Sequence, residues 1–384
     1  MAGEHALGDL ATFSSGGTPS KREPDNYRGR IPWITGADID SYGQCRPRSF
    51  ISDAATRSSA APLVGKGTVL LVTRTSVGKV AIAHSSMSFS QDITGIHPNA
   101  SRLNADYLRH FLISEQQTLK ARSRGATIKG VTREVVANLT LTVPDLAEQE
   151  RIAQLLSQSS RILEKRTASL NLLTSMSESL FRREFGDPRA GSKGLPMSRL
   201  GDLATIGTGS TPSRSQPAFF GGEIPWVKTT EVQGGTINDT IEHLTAEGLK
   251  ASRCKLYPQG SIVIALYGQG RTRGQCAMLD VEAATNQACA VLVPDDSYDS
   301  TFMFSQLKLS YQRLREMGRG GSQENLNLGL IGNFPVIAPP LERQRKFANV
   351  DRKIQGLRRM SDEHLLHLNS LFASLQSRAF KGEL

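Results

Sequence analysis

The sequence predicts an α+β chain built from two tandem globular domains, each followed by a long α-helix. Three observations carry this: a repeated opening, short β-branched runs at the front of each copy, and heptads at the back. The opening "LGDLATFSSGGTPSKREPDNYRGRIPWI" at residues 7–34 returns as "LGDLATIGTGSTPSRSQPAFFGGEIPWV" at residues 200–227. The shift is 193 positions, and 15 of the 28 residues are identical. Such identity within one chain marks a duplicated unit rather than a short-period solenoid.

The repeat resumes at the back with a shift of 195: "VPDLAEQERIAQLL" from Val143 matches "APPLERQRKFANVD" from Ala338. Asn138/Asn333, Gln149/Gln344, Leu173/Leu368, Leu180/Leu375 and Phe185/Phe380 match in this register. Between the ends the copies diverge. Over residues 35–66 against 228–259, only Ser59/Ser252 and Leu63/Leu256 are identical, while the apolar rhythm persists at Ile39/Val232 and Ile51/Leu244. One scaffold therefore carries two different faces.

In the front, residues 68–73 after Gly67, 80–83 after Gly78 and 261–266 after Gly260 are short β-branched runs with turn residues at their ends, and read as strands. Residues 103–120, "LNADYLRHFLISEQQTLK", read as a helix covering a sheet, with its counterpart at 302–317. The first long helix opens at Asp145, with Glu148 three residues on as a capping box, and has neither proline nor glycine from Leu146 to Phe185. Gly186 stops it. The second opens after Pro339-Pro340 and contains Gly356.

Phe347, Ile354, Leu368 and Leu375 fall seven or fourteen apart, and Ile152, Leu173 and Leu180 repeat that series in the first copy. Val350, Leu357, His364 and Leu371 are expected at the complementary seam positions of a coiled coil. The glycine- and proline-bearing stretch at 187–199 is the linker. The expected division is 1–144, helix 145–186, linker 187–199, 200–338 and helix 339–384.

Lys and Arg number 46 against 36 Asp and Glu, a formal charge of +10, and the excess is shared between the halves. This favours a polyanionic partner. The four cysteines, Cys45, Cys254, Cys276 and Cys289, have no metal-ligand spacing and read as reduced thiols. No leader pattern opens the sequence and no apolar run is long enough to span a bilayer, so a soluble cytoplasmic protein is expected.

Catalytic signatures are missing. There is no phosphate-binding P-loop, no HExxH, no GxSxG and no Asn/Asp-Pro-Pro-aromatic motif of amino-group methyltransferases. "GQGRTRG" at 268–274 has one residue too many for GxGxxG. His364 and His367 lie one helical turn apart without a carboxylate or thiol arranged beside them, so no metal site is expected.

Three pairs of polar loops stand out. "SSGGTPSKR" at 14–22 and its partner keep their glycine and proline, and read as structural turns; Trp33 and Trp226 read as core. "TRTSVGK" at 73–79 against "YGQGRTRG" at 267–274 offers Arg74, Ser76 and Lys79 in one copy, Tyr267, Gln269, Arg271 and Arg273 in the other. "KARSRGATIK" at 120–129 against "GRGGSQENLN" at 318–327 offers Arg122, Arg124 and Lys129, and Arg319, Gln323 and Asn325. Arginine, lysine, glutamine and asparagine on glycine-bearing loops suit phosphate and base-edge contacts, so these residues are the candidate DNA-binding set.

Two diverged globular units, each followed by a helix opening on Pro144–Ile152 or Pro339–Phe347, resemble the specificity subunit of Type I restriction–modification enzymes. The resemblance spans the whole chain. It implies two target-recognition domains, each reading one half of a split sequence in double-stranded DNA, on helices that pair as an antiparallel coiled coil. It also implies docking of two methyltransferase subunits on the helices, where Ile152, Leu173, Leu180, Phe347, Ile354, Leu368 and Leu375 are the candidate pairing and docking residues. Endonuclease subunits would join them. S-adenosylmethionine, ATP and Mg would sit on those partners and no cofactor on this chain, which is then non-catalytic. The helix entries Val143-Pro144-Asp145 and Ala338-Pro339-Pro340 differ, which puts equal docking of the two methyltransferases in doubt. The other reading is a coiled-coil adaptor that binds proteins only.

Overall fold

The computed structural model describes residues 3–59, 61–124, 130–188, 193–268, 270–318 and 325–384. The chain separates into two compact units, Met1–Ala168 with Asp362–Leu384, and Ser169–Ser361.

The first unit contains strands β1 (Gly3–Ala6), β2 (Ala11–Ser15), β3 (Ile31–Ile34), β4 (Ser49–Ile51), β5 (Val69–Val72), β6 (Val80–Ile82), β7 (Ser88–Phe89), β8 (Ile93–Pro98) and β9 (Thr140–Val143). Its helices are α1 (Asp53–Ser58), α2 (Ala105–Ser114), α3 (Gln116–Ala121), α4 (Arg133–Ala137) and the start of α5 (Leu146–Phe185). A sheet of order β2-β8-β5-β6 faces a second of order β4-β3-β7, and β1 pairs with β9. Alternation along the central strand explains the uninterrupted run "VLLV": side chains point to opposite faces in turn. Val69 and Leu71 enter the core under α2 and α3, while Leu70 and Val72 enter the core shared with Ile34 and Phe89. Both faces are covered, so no polar residue interrupts the run.

The second unit repeats this plan. Its strands are β10 (Met197–Arg199), β11 (Ile206–Thr208), β12 (Phe220–Val227), β13 (Thr236–Ile237), β14 (His243–Leu244), β15 (Leu256–Tyr257), β16 (Ile262–Ala265), β17 (Cys276–Leu279), β18 (Ala283–Thr285), β19 (Cys289–Leu292) and β20 (Pro335–Ile337). Its helices are α6 (Leu200–Leu203), α7 (Ala246–Ala251), α8 (Ser300–Leu309), α9 (Tyr311–Met317), α10 (Leu328–Gly332) and the start of α11 (Leu341–Lys381). The order β11-β19-β16-β17-β13 matches β2-β8-β5-β6 with one added edge strand, and β14-β12-β18-β15 matches β4-β3-β7 in the same way. Ile262 and Ile264 enter one core and Val263 and Ala265 the other, as in the first unit.

The helix expected over 103–120 is two helices, broken at Glu115, and its counterpart over 302–317 is broken at Ser310. Hydroxyls bend the chain there. Ser114 Oγ donates to the carbonyl of Phe111 at 2.7 Å and Ser310 Oγ to that of Gln306 at 2.8 Å, competing with the helical ladder.

The first long helix begins and ends near the expected bounds. Asp145 accepts from the Glu148 N–H at 2.9 Å, but Glu148 pairs with Arg151 at 2.7 Å, so only half of the expected capping box forms. Gly186 takes φ 91°, the left-handed geometry that suits glycine at a helix end.

In the second unit Ser177 on α5 donates to Asp351 on α11, the rings of Phe181 and Phe347 lie 5.4 Å apart, and Arg343 donates to the carbonyl of Glu184. Partners descend on α11 as they ascend on α5, so the contact is antiparallel. Leu156, Leu163 and Leu170 are the buried heptad of α5, whereas Leu173 and Leu180 are half-buried. On α11 Phe347 and Ile354 are buried, and Leu368 and Leu375 half-buried.

The expected complementary series is corrected: Val350, Leu357, His364 and Leu371 are exposed. Asp351, Arg358, Leu365, Phe372 and Ala379 take the inward stripe instead. Two neighbouring stripes share a seven-residue period, and the inward one looks polar because it carries Asp351 and Arg358.

Candidate nucleic-acid interface

In the first unit the loop between β5 and β6 and the segment after α3 meet. Val131 N donates to the carbonyl of Thr73 at 2.9 Å, and Arg124 and Gly130 exchange two backbone bonds of 2.9 and 3.0 Å. A Cβ on Gly130 would stand 3.2 Å from Arg74 Cγ, so a small residue lets the two strands of backbone approach. This brings Arg74 beside Arg124, with Arg122 two residues before it; all three are exposed. Ser76 is half-buried. Thr75 holds φ 65°, a turn that few side chains adopt.

Lys79 is placed differently. Its Nζ donates to the carbonyls of Ile39 at 2.7 Å and Gly36 at 3.4 Å, so it ties this loop to the diverged segment at 35–48. Lys129 lies outside the described residues.

The second unit repeats the meeting of loops. Leu326 N donates to the carbonyl of Leu266 at 3.1 Å, and Tyr311 Oη to that of Arg271 at 2.8 Å. Tyr267, Arg271 and Asn325 are exposed and Arg273 half-buried. Gln269, Arg319 and Gln323 lie outside the described residues.

The repeated turn at 14–22 is built for close approach rather than for a ligand. A Cβ on Gly16 would lie 2.0 Å from the Ser90 carbonyl oxygen, and one on Gly209 1.7 Å from that of Thr285. The tryptophans close these turns from the core: Trp33 Nε1 donates to the Gly17 carbonyl at 3.0 Å and Trp226 Nε1 to that of Ser210 at 3.1 Å.

Electrostatics adds one well-defined group. Asp38 is buried, and burial alone would raise its carboxyl. Hydrogen bonds from Arg48 and Thr35 outweigh this and hold it below its ordinary range. Burial pushes the thiols of Cys276 and Cys289 up to about 12 and that of Cys45 to about 11, so they stay protonated. Among the described residues no three His, Cys, Asp or Glu side chains cluster to hold a metal, and no helix is long and apolar enough to cross a membrane.

Residues 3–172 and 193–350 match the family described as the Type I restriction modification DNA specificity domain. The chain belongs to that specificity family. It is 22% identical to the Type I restriction enzyme MjaIX specificity subunit of Methanocaldococcus jannaschii, over 98% of this chain and 92% of that one. It is 23% identical to the HindI specificity subunit of Haemophilus influenzae, over 64% and 70%. The fold is similar to that of the S subunit of a Type I restriction–modification system from M. genitalium, with a TM-score of 0.65 at 15% identity, over 99% of this chain and 96% of that one. A chain from a solved structure of a type I R-M system covers 100% of this chain and 98% of its own length, with a TM-score of 0.54 at 19% identity.

Two features of this specificity chain escaped the motif reading. Gln149 and Gln344 were visible only as matched positions, but each is buried and bonded to backbone. The segments at 35–48 and 228–241 showed no shared polar motif. The 193-residue register that aligned their apolar positions also sets Asp38 against Glu231 and Arg48 against Ile241, but no shared residue type marks these pairs.

Proposed function

We propose that this chain is the DNA-recognition subunit of a Type I restriction–modification complex. Each globular unit reads one half of a bipartite site in double-stranded DNA. The helices α5 and α11 pair as an antiparallel coiled coil, set the spacer between the half-sites and dock two methyltransferase subunits, to which endonuclease subunits attach. The chain itself transfers no methyl group and cuts no bond; S-adenosylmethionine, ATP and Mg act on the partners.

The observation that carries this reading is the repeated sheet topology under diverged loops. One architecture occurs twice, and in each copy exposed basic or polar side chains gather where two loops meet. Phosphate contacts from such loops position the protein, and base-edge contacts specify the sequence. Exposed Val350 and Leu357 on α11, with half-buried Leu180 of α5 lining the same cleft as Val350, support protein docking on the helices.

The test is co-expression with a methyltransferase subunit of the same system type, followed by selection from a duplex pool and mapping of methylated bases. A two-part consensus with an unspecific spacer is expected. A complex that assembles yet selects no sequence would make the chain a protein-binding adaptor. Methyl transfer by the purified chain alone would overturn the non-catalytic assignment.

A further inference from the structure

Positions 48 and 241 are equivalent by structure as well as by sequence shift. In the first unit Ile31, Pro32 and Trp33 pair with Ile51, Phe50 and Ser49. In the second, Ile224 and Pro225 pair with Leu244 and His243, and Trp226 N donates to the carbonyl of Glu242. The next residue outward is Arg48 in one unit and Ile241 in the other.

The same acidic position pins both. Asp38 caps its turn through Thr35 N at 2.8 Å, and Glu231 caps the equivalent turn through Lys228 N at 2.9 Å. The second oxygen of each carboxylate holds the residue in question. Asp38 Oδ1 takes Arg48 Nε, while Glu231 Oε1 takes the backbone N–H of Ile241 at 2.8 Å. Asp38 is 4% exposed at its side chain and Arg48 66%. A buried anchor therefore orients a guanidinium whose outer nitrogens face solvent. Ile241 is 82% exposed, a large apolar side chain held outward by a backbone bond.

The location is the edge of the basic loops. Lys79 ties the loop between β5 and β6 to Gly36 and Ile39, on the same segment as Asp38. In the second unit Gly234 N donates to the carbonyl of Cys276, at the exit of the equivalent loop. This segment has almost no identity between the copies, although its frame is kept.

We propose that positions 48 and 241 are the same base-reading position in the two units, with Arg48 reading a guanine and Ile241 the methyl group of a thymine. The chemistry follows from the side chains. The Nη groups of an arginine fixed at Nε match the O6 and N7 acceptors of guanine, and an exposed aliphatic group meets the thymine C5-methyl in the major groove. Asp38 acts as a positioning residue. The inference rests on the DNA-recognition reading above.

The experiment uses the full chain with its methyltransferase subunits and a duplex pool randomised through both half-sites. Selection of no consensus by the unmodified complex would sink the DNA-recognition reading itself. Given a consensus, Arg48→Ala relaxes one G·C position of one half-site by about 5- to 150-fold and leaves the other half-site unchanged. Ile241→Ala relaxes one T·A position of the other half-site, with a smaller loss. Asp38→Asn relaxes the same position as Arg48→Ala, and circular dichroism confirms that the variant is folded. Equal weakening on all sequences in Arg48→Ala, with a shallower salt dependence, would make Arg48 a phosphate contact and overturn the proposal. Loss of DNA bending without loss of base preference in Ile241→Ala would make that residue a wedge and overturn its half of the proposal.

Discussion

Gln149 Oε1 accepts the backbone N–H of Asn104 at 2.8 Å, at the point where α2 begins. Its Nε2 donates to the carbonyls of Pro144 at 2.8 Å and Arg102 at 2.9 Å. Gln344 makes the corresponding bond from the N–H of Asp299, which caps α8, at 3.0 Å, and donates to the carbonyl of Pro339 at 2.8 Å. One buried amide thus locks the first turn of each long helix to the helix covering the sheet. That is the physical content of the repeated Pro-x-Leu-x-x-Gln pattern. A side-chain amide suits the site because it supplies a donor and an acceptor within one group.

Replacing Gln149 by alanine leaves buried backbone groups without their partner. Unfolding in denaturant is expected to show a loss of about 2–4 kcal/mol, as for several unsatisfied buried groups. The control is Gln154→Ala on the same helix, where the side chain is exposed and the change should stay within about 0.5 kcal/mol. Equal effects at the two positions would show that Gln149 is not an anchor.

The frame was legible in the sequence; of the inward face of the helices, the series through Ile152, Phe347 and Ile354 was legible and its complement was not. Uninterrupted β-branched runs with flanking glycines located β5 and β16, because a strand covered on both faces carries no polar residue to break the run. Helix ends were legible at Asp145 and Gly186 for the same reason: a cap and a positive φ are local demands. The seam was less legible, because its inward positions include Asp351, whose carboxylate is satisfied by Ser177 and Ser305 from other segments. The polar loops were legible as basic, but Lys79 faces inward, and the anchoring of Arg48 depends on a contact ten residues away. Such pairings are decided in three dimensions and leave no spacing to recognise.

The seam assignment gives a second prediction. Leu163→Ala removes a buried side chain and should cost about 2–4 kcal/mol, whereas Leu371→Ala, on the exposed stripe, should cost the chain alone about 0.5 kcal/mol or less. Thermal unfolding of the two variants checks it. The reverse order would restore the stripe read from the sequence.

A third concerns acid. His110 is fully buried, with Nε2 at 2.9 Å from Ser157 Oγ and 3.0 Å from Arg109. Burial first, then the Arg109 charge, pull its pKa down to about 3. The unfolded chain therefore takes up the proton before the folded one. The stabilisation is complete above pH ~6.5 and is lost progressively as pH falls towards about 3, reaching a loss of about 2 kcal/mol at pH 5. In His110→Phe the slope of stability against pH between 6.5 and 5 should flatten. An unchanged slope would place the acid sensitivity elsewhere.

The exposed arginines give a fourth. If Arg74, Arg122 and Arg124 meet phosphates, each change to alanine should reduce the slope of log affinity against log salt by about 0.9 and weaken binding on all sequences alike. Fluorescence titration of the assembled complex at several salt concentrations measures this. A change confined to one base position would instead move that arginine into the reading set, and three unchanged slopes would remove this edge from the interface.

The last prediction concerns spacing. The helix α5 has 40 residues, about 60 Å at ~1.5 Å per residue. In the antiparallel register set by Ser177 with Asp351 and Phe181 with Phe347, residues 160–166 fall opposite 362–368. Deleting both segments removes one heptad from each helix and keeps the inward stripes in phase. The frame shortens by about 10 Å, or ~3 base pairs at ~3.4 Å each. Methylated-base mapping should then return the same two half-site sequences, separated by a spacer about three base pairs shorter. The shift also turns one half-site by roughly a quarter turn of the DNA or more, so a weaker complex is expected unless the duplex twists to follow. Exchange of residues 35–130 for another family member's segment is the converse, changing one half-site and leaving the spacer alone. Altered half-site bases with an intact spacer in the deletion variant would mean that the helices do not measure the site.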